Sequence, residues 1–133
     1  MNNKLLFILT ILTQYVMILI QEGVICLIIK ESSKYKRDLK KLEKKHMTKE
    51  INNIKEICEF ITLFSNMHEL LSNNQRFLYG IEKKKGDLKE IYTAIVNPKI
   101  RLYMHPVGNY PYNLVEIDMI ELEKIDDKHY GEG

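Results

Sequence analysis

The chain is short of the devices from which most recognisable sites are built. It has two cysteines, Cys26 and Cys58, in 133 residues. Their spacing matches no zinc motif, and two thiols make no disulfide framework. That usage fits an intracellular protein with reduced thiols. No glycine-rich phosphate loop, no nucleophile motif and no zinc-spaced Cys/His cluster is present, so nucleotide hydrolysis on a P-loop and zinc chemistry find no support. No cofactor and no metal are expected. Internal repeats and low-complexity tracts are also missing. The formal net charge of +2 excludes a bulk polycation.

The charge that exists is unevenly placed. Residues 28–55 hold ten Lys/Arg against four Asp/Glu, a balance of +6, and residues 112–133 hold two against seven, a balance of −5. Such asymmetry points to a basic face for nucleic acid or for an acidic partner, or to a solvated helix face.

The length suits one domain with a modest core. Leu5 to Ile20 form an apolar run broken by Thr10, Thr13 and Gln14. It is short for a membrane span and has no small-residue cleavage site. Gln21-Glu22-Gly23 is compatible with purine-rich codons of a ribosome-binding site, with Val24 or Leu27 as the start. Residues 1–23 are therefore expected to be an extension, through a mis-called start or as a membrane-contacting helix, and the working domain to be residues 24–133.

Within that domain Val24 to Lys30 read as a strand. Ser32 or Ser33 caps a lysine-rich helix with Tyr35, Leu39, Leu42 and His46 at helical spacing. Thr48 caps a second helix with Ile51, Ile54, Ile57, Cys58, Ile61 and Phe64 on one face, running to Leu71, with Cys58 as a small buried hydrophobe. His46 and His68 read as helix-face residues. Glu90 to Val96, Ile100 to His105 and Tyr112 to Ile125 read as strands, the last with a bulge or break near Asp118-Met119. The order predicts an α+β fold: an N-terminal strand, a two-helix hairpin, then a three- to four-stranded antiparallel sheet with the helices on one face.

Arg101 stands out, because an arginine inside an apolar strand is costly unless its charged end emerges where it is used. A salt bridge to a neighbouring-strand carboxylate such as Glu116 is the structural alternative. His105 lies on the same strand face as Arg101. It reads first as a structural strand-end histidine and second as a reserve acid or base. Lys83, Lys84, Lys85 and Lys89 form a basic patch that Arg76 extends, suited to salt-dependent phosphate contacts.

The phrases IIKESSKYKRDLKKLEKK, Lys85-Gly86-Asp87-Leu88-Lys89, Ile100-Arg101-Leu102-Tyr103 and Asp126-Asp127-Lys128-His129-Tyr130 occur in an order that resembles the RelE/ParE toxin superfamily, in particular its HigB-like members. The resemblance covers about four-fifths of the chain. It implies the cytoplasmic toxin of a type II toxin–antitoxin system, an mRNA endoribonuclease acting on the ribosome by attack of a ribose 2′-hydroxyl on the phosphodiester, without metal. It further implies a cognate antitoxin, often of helix-turn-helix type, with operator DNA bound only through the toxin–antitoxin complex. Carried onto this chain, it gives Arg101 for transition-state charge, His129 for proton transfer, Tyr130 for stacking or orienting the phosphate, and Lys85 and Lys89 in the catalytic neighbourhood, with Arg76, Lys83 and Lys84 binding RNA. Many members carry a polar group late in the second strand, where this chain has Thr93-Ala94-Ile95-Val96. That departure keeps a ParE-like gyrase poison and a catalytically degenerate antitoxin-binding module as alternatives. A small membrane-anchored protein is the alternative if residues 5–20 are made.

Overall fold

A computed structural model describes residues 3–21, 26–86 and 90–127. Its domain is α+β. The elements are α1 (Asn3–Gln21), β1 (Ile28–Glu31), α2 (Ser33–Lys44), α3 (Thr48–Ile61), α4 (Met67–Ser72), a 3-10 helix (Asn74–Tyr79), β2 (Glu82–Lys83), β3 (Tyr92–Ile95), β4 (Arg101–Pro106) and β5 (Met119–Asp126). The strands form one sheet in the order β1-β5-β4-β3-β2. β1 runs parallel to β5, and the other neighbours are antiparallel. Among the described residues the antiparallel part of the sheet is the expected four strands, β2 to β5, and the N-terminal strand joins it by a long helical crossover that lands it beside the last.

Period-two alternation divides the strands between two faces. Ala94, Leu102, Met104, Ile120 and Leu122 join Ile54, Ile57, Phe60, Ile61, Met67 and Leu70 in the core. Arg101, Tyr103 and His105 project from the other side of β4. Burying each large aliphatic side chain contributes about 1.5–3 kcal/mol, so the helix-covered face carries most of the folding free energy.

α2 begins where Ser32 accepts the Tyr35 N–H at 3.0 Å. Its buried Asp38, only 7% exposed, holds the helix to the sheet: Oδ2 accepts the Ile125 N–H at 3.0 Å and Oδ1 receives Lys34 at 3.3 Å. β1 ends opposite Leu122. Beyond it, α2 supplies the partners that the β5 edge lacks, because the Ser32 hydroxyl also donates to the Glu123 carbonyl at 2.7 Å. His46 is not on a helix face; it takes a left-handed conformation, φ 58°, in the link to α3, a region histidine tolerates better than most residues.

The expected second helix stops at Ile61, and a bent segment separates it from α4. Asn66 caps α4 by accepting the Glu69 N–H, while Glu69 accepts the Ser65 N–H, each at 2.9 Å. This Asx and Ser-rich stretch competes with helical hydrogen bonding, which breaks an otherwise helical apolar pattern. Gly80 ends the 3-10 helix at φ 62°, and a Cβ there would meet the Ile95 side chain at 2.4 Å, so only glycine fits.

Tyr112 to Asp118 are not strand. The Ile117 and Leu114 carbonyls instead accept the Met67 and His68 N–H groups of α4. β5 starts at Met119, next to the expected break. Glu116 therefore lies in the loop rather than on a strand beside Arg101. α1 is helical, and Leu6, Phe7, Ile8, Leu9, Ile11 and Leu12 are exposed on it. Thr10 and Thr13 donate their hydroxyls to the Leu6 and Leu9 carbonyls, both at 2.9 Å. Among the described residues no helix is long and apolar enough to cross a membrane.

Candidate nucleic-acid interface

The face of the sheet away from the helices gathers the chemistry. Arg101, Tyr103 and His105 stand in a row along β4, about 7 Å apart by strand geometry. Tyr103 is the centre. The Lys124 ammonium lies 4.6 Å from its ring centroid and the Lys84 ammonium 5.7 Å, one from the β5 side and one from the β2 side. The ring quadrupole favours both cations. Tyr103 is only 8% exposed, so its ring serves as a platform for the two ammonium groups rather than a free stacking surface.

A bulge makes this arrangement possible. Tyr103 pairs with Lys124 but Met104 pairs with Leu122, leaving Glu123 as the extra residue. Without it, consecutive residues of β5 would point to opposite faces. With it, Glu123 contacts His105 while Lys124 contacts Tyr103.

The imidazole of His105 lies between two carboxylates. Its Nδ1, shielded from solvent, is 2.5 Å from Glu123 Oε1, close but off the line of a well-formed hydrogen bond. Its Nε2 is 3.9 Å from Glu121 Oε2. Glu121 is also 3.6 Å from Lys30 on β1.

Arg101 has a largely structural set of bonds. Its Nη1 donates to the Asn97 carbonyl at 2.8 Å, with longer contacts to Pro98 at 3.4 Å and Ile100 at 3.3 Å. The Asn97 side chain accepts the N–H groups of Lys99 and Ile100, and Asn53 of α3 donates to the Val96 carbonyl. Arg101 thus closes the β3–β4 turn while its side chain stays part-exposed. It is paired in register with Asp126, so the chain leaves β5 beside it.

Arg76 donates to the Ile81 carbonyl at 2.6 Å and lies 4.2 Å from the Phe77 ring centroid. Lys83 lies 5.8 Å from the Tyr110 ring centroid, and Lys85 is exposed. Lys89, His129 and Tyr130 lie outside the described residues. The lysine patch is therefore divided: Lys84 belongs to the Tyr103 cluster, Lys83 turns to the Tyr110 side, and Arg76 braces the start of β2.

Lys124 also lines a groove of about 450 Å³ between α2 and the end of β5, with Lys34, Asp38, Lys41, Lys45 and Asp126 among its walls. Lys41 lies in the last turn of α2 and Lys45 is its C-cap, four residues on. Lys124 itself lies 3.8 Å from Asp126. The open sheet face and the basic helix meet at this lysine.

Burial raises the phenols of Tyr92 and Tyr112 above their ordinary value, so both stay protonated. Burial, aided by Glu31 and Glu59, pushes the Cys58 thiol up to about 11, which makes it a poor nucleophile. Among the described residues no group of three or more His, Cys, Asp and Glu is placed to hold a metal ion.

No protein-family model matches this sequence, and no curated protein matches it. Solved structures do. The E. coli DinJ–YafQ toxin–antitoxin complex aligns with a TM-score of 0.53 at 19% identity, covering 77% of this chain and 93% of the matched one. A mutant of E. coli YafQ aligns with a TM-score of 0.51 at 18% identity, covering 76% and 92%. The chain shares the YafQ fold. Nearly all of YafQ is matched, whereas about a quarter of this chain lies outside the likeness.

The sequence pointed to Arg101, Lys84 and the shared face of Arg101 and His105. It did not reveal Tyr103 as the centre, nor Glu123 and Lys124 as partners. The alternation R-L-Y-M-H carries a signal for Tyr103. The break expected near Asp118-Met119 is where β5 begins, and nothing in the sequence announced the further bulge at Glu123.

Proposed function

We propose that this protein is the toxin of a type II toxin–antitoxin system and acts as a ribosome-dependent mRNA endoribonuclease, held inactive by a cognate antitoxin in the cytoplasm. The observation that carries this reading is the pair of lysines on Tyr103, set beside His105 and Arg101 on the open face of a YafQ-like sheet. Phosphoryl transfer from a ribose 2′-hydroxyl needs cations where charge develops and a group that moves a proton. Lys84, Lys124 and Arg101 supply the charge. Lys85 and Lys89, with His129 and Tyr130 of the C-terminal tail, complete the site in this reading. The end of β5 supports the tail assignment, because Asp126 is paired with Arg101 and the three residues from Asp126 to His129 can span at most about 11 Å. Arg76 and Lys83 extend the phosphate contacts.

The antitoxin is a small protein, often of helix-turn-helix type, and operator DNA is bound only through the complex. The similarity to YafQ, solved together with DinJ, supports that partner class.

Induction of the full chain in cells should arrest growth and produce new mRNA 5′ ends within coding regions. Arrest without mRNA cuts would point to a different target, such as gyrase. The bonds of Arg101 to turn carbonyls favour a second reading, a catalytically silent antitoxin-binding module. It predicts antitoxin capture with neither arrest nor cleavage.

A further inference from the structure

We infer that His105, oriented by Glu123, is the general base of this reaction, an inference that rests on the endoribonuclease reading. Three observations carry it. The imidazole is part-exposed, with 27% of its side chain accessible, and stands one strand pair from the lysines on Tyr103. Its Nδ1 is shielded and faces Glu123, whereas Nε2 lies on the more open side, 3.9 Å from Glu121. The bulge at Glu123 breaks the strand alternation and so brings that carboxylate to the histidine.

A carboxylate at Nδ1 favours the tautomer with its proton there, leaving Nε2 with a free lone pair. The same carboxylate stabilises the imidazolium once a proton arrives. The charged groups at His105 are Glu121 and Glu123 from β5, with Lys30 of β1 reached through Glu121.

The step balances without an added reactant. Nε2 takes the proton of the ribose 2′-hydroxyl, and the 2′-oxygen forms a bond to phosphorus. The bond from phosphorus to the 5′-oxygen breaks, and that oxygen takes a proton from solvent. The products are a 2′,3′-cyclic phosphate and a 5′-hydroxyl, and His105 returns its proton to water. Lys84 and Lys124 hold the charge that builds on the phosphate. Glu123 is a positioning residue, since it acts through the imidazole.

The test measures single-turnover cleavage of ribosome-bound mRNA by the full chain, and binding of an uncleavable analogue carrying a 2′-deoxyribose at the cut. Replacing His105 by Gln should lower the cleavage rate about 10²–10⁴-fold while binding stays within twofold. Glu123→Gln should lower the rate at least tenfold while analogue binding stays within twofold, and Glu123→Asp should recover part of the loss. Cleavage by His105→Gln within threefold of the wild-type rate overturns the inference while leaving the endoribonuclease reading intact. A wild-type chain that cuts no mRNA overturns both. Should the glutamine variant fail to fold, His105→Asn, whose amide keeps a donor for Glu123, is measured in the same assay: a loss of tenfold or more supports the inference, and a rate within threefold of wild type overturns it.

Discussion

The two faces of one sheet teach different lessons from the same strands. In β4, Leu102 and Met104 are fully buried beneath the helices, while Arg101, Tyr103 and His105, their immediate neighbours in sequence, carry the polar chemistry of the other side. The covered face gains its stability from apolar area and close packing, and it admits a polar group such as Asp38 only with its oxygens hydrogen-bonded. The open face gains little stability from its charges, because exposed ion pairs contribute about 0–1 kcal/mol each. It is therefore free to keep cations that repel one another, and a nucleic-acid ligand would relieve that repulsion.

Substitutions should separate the two faces by what they change. The largest stability effect is expected on the covered side: Leu122→Ala should destabilise the fold by about 2–5 kcal/mol in urea unfolding. A loss below 1 kcal/mol would break the claim that this face carries the fold. Asp38 belongs to the same layer although it is charged. Asp38→Ala strands the Ile125 N–H and should cost about 1–3 kcal/mol by the same measurement. An Asn there, which keeps an acceptor, should cost less.

Alkaline pH probes the covered side a third way. The folded chain holds the Cys58 thiol up to about 11 from an ordinary value of 9.0, and burial pushes the Tyr35 phenol up still further. Below the unfolded value both groups are neutral in either state and the full stability is present. As pH rises from about 9 towards 11, the unfolded thiol ionises first and the folded state loses roughly 2 kcal/mol at most. Denaturant midpoints should fall over that window. Cys58→Ala should remove the thiol's share of the fall.

The smallest effects on folding, and a clear effect on ligand, are expected on the open face. Lys84→Ala and Lys124→Ala should each change stability by about 0.5 kcal/mol or less. Each should weaken RNA binding several-fold and reduce the slope of log affinity against log salt by about one. Equal slopes for wild type and variants would remove these lysines from the interface.

Local pattern made much of the fold legible. β-branched and apolar runs announced the strands, the serine cap and lysine-rich amphipathic spacing announced α2, and Asn97-Pro98 announced the turn that Arg101 closes. The misreadings came where competing local bonds override periodicity. Ser65 and Asn66 divide one expected helix into α3 and α4, and residues 112–118 bond to α4 instead of extending a strand. The site was half legible. Alternation put Arg101 and His105 on one face, but Arg101 spends its best hydrogen bonds on the turn. His105, read first as structural, meets two carboxylates that only register could deliver.

By itself the sequence determined the α+β class, the basic helix and the residues that share each strand face, because helix and strand periodicities are local properties. The tertiary structure alone decided that β1 lies beside β5, that Lys84 and Lys124 converge on Tyr103, and that Glu123 reaches His105. Those contacts join positions from different strands. They depend on strand order and on a one-residue bulge, and a shift of one residue in register sends a side chain to the opposite face.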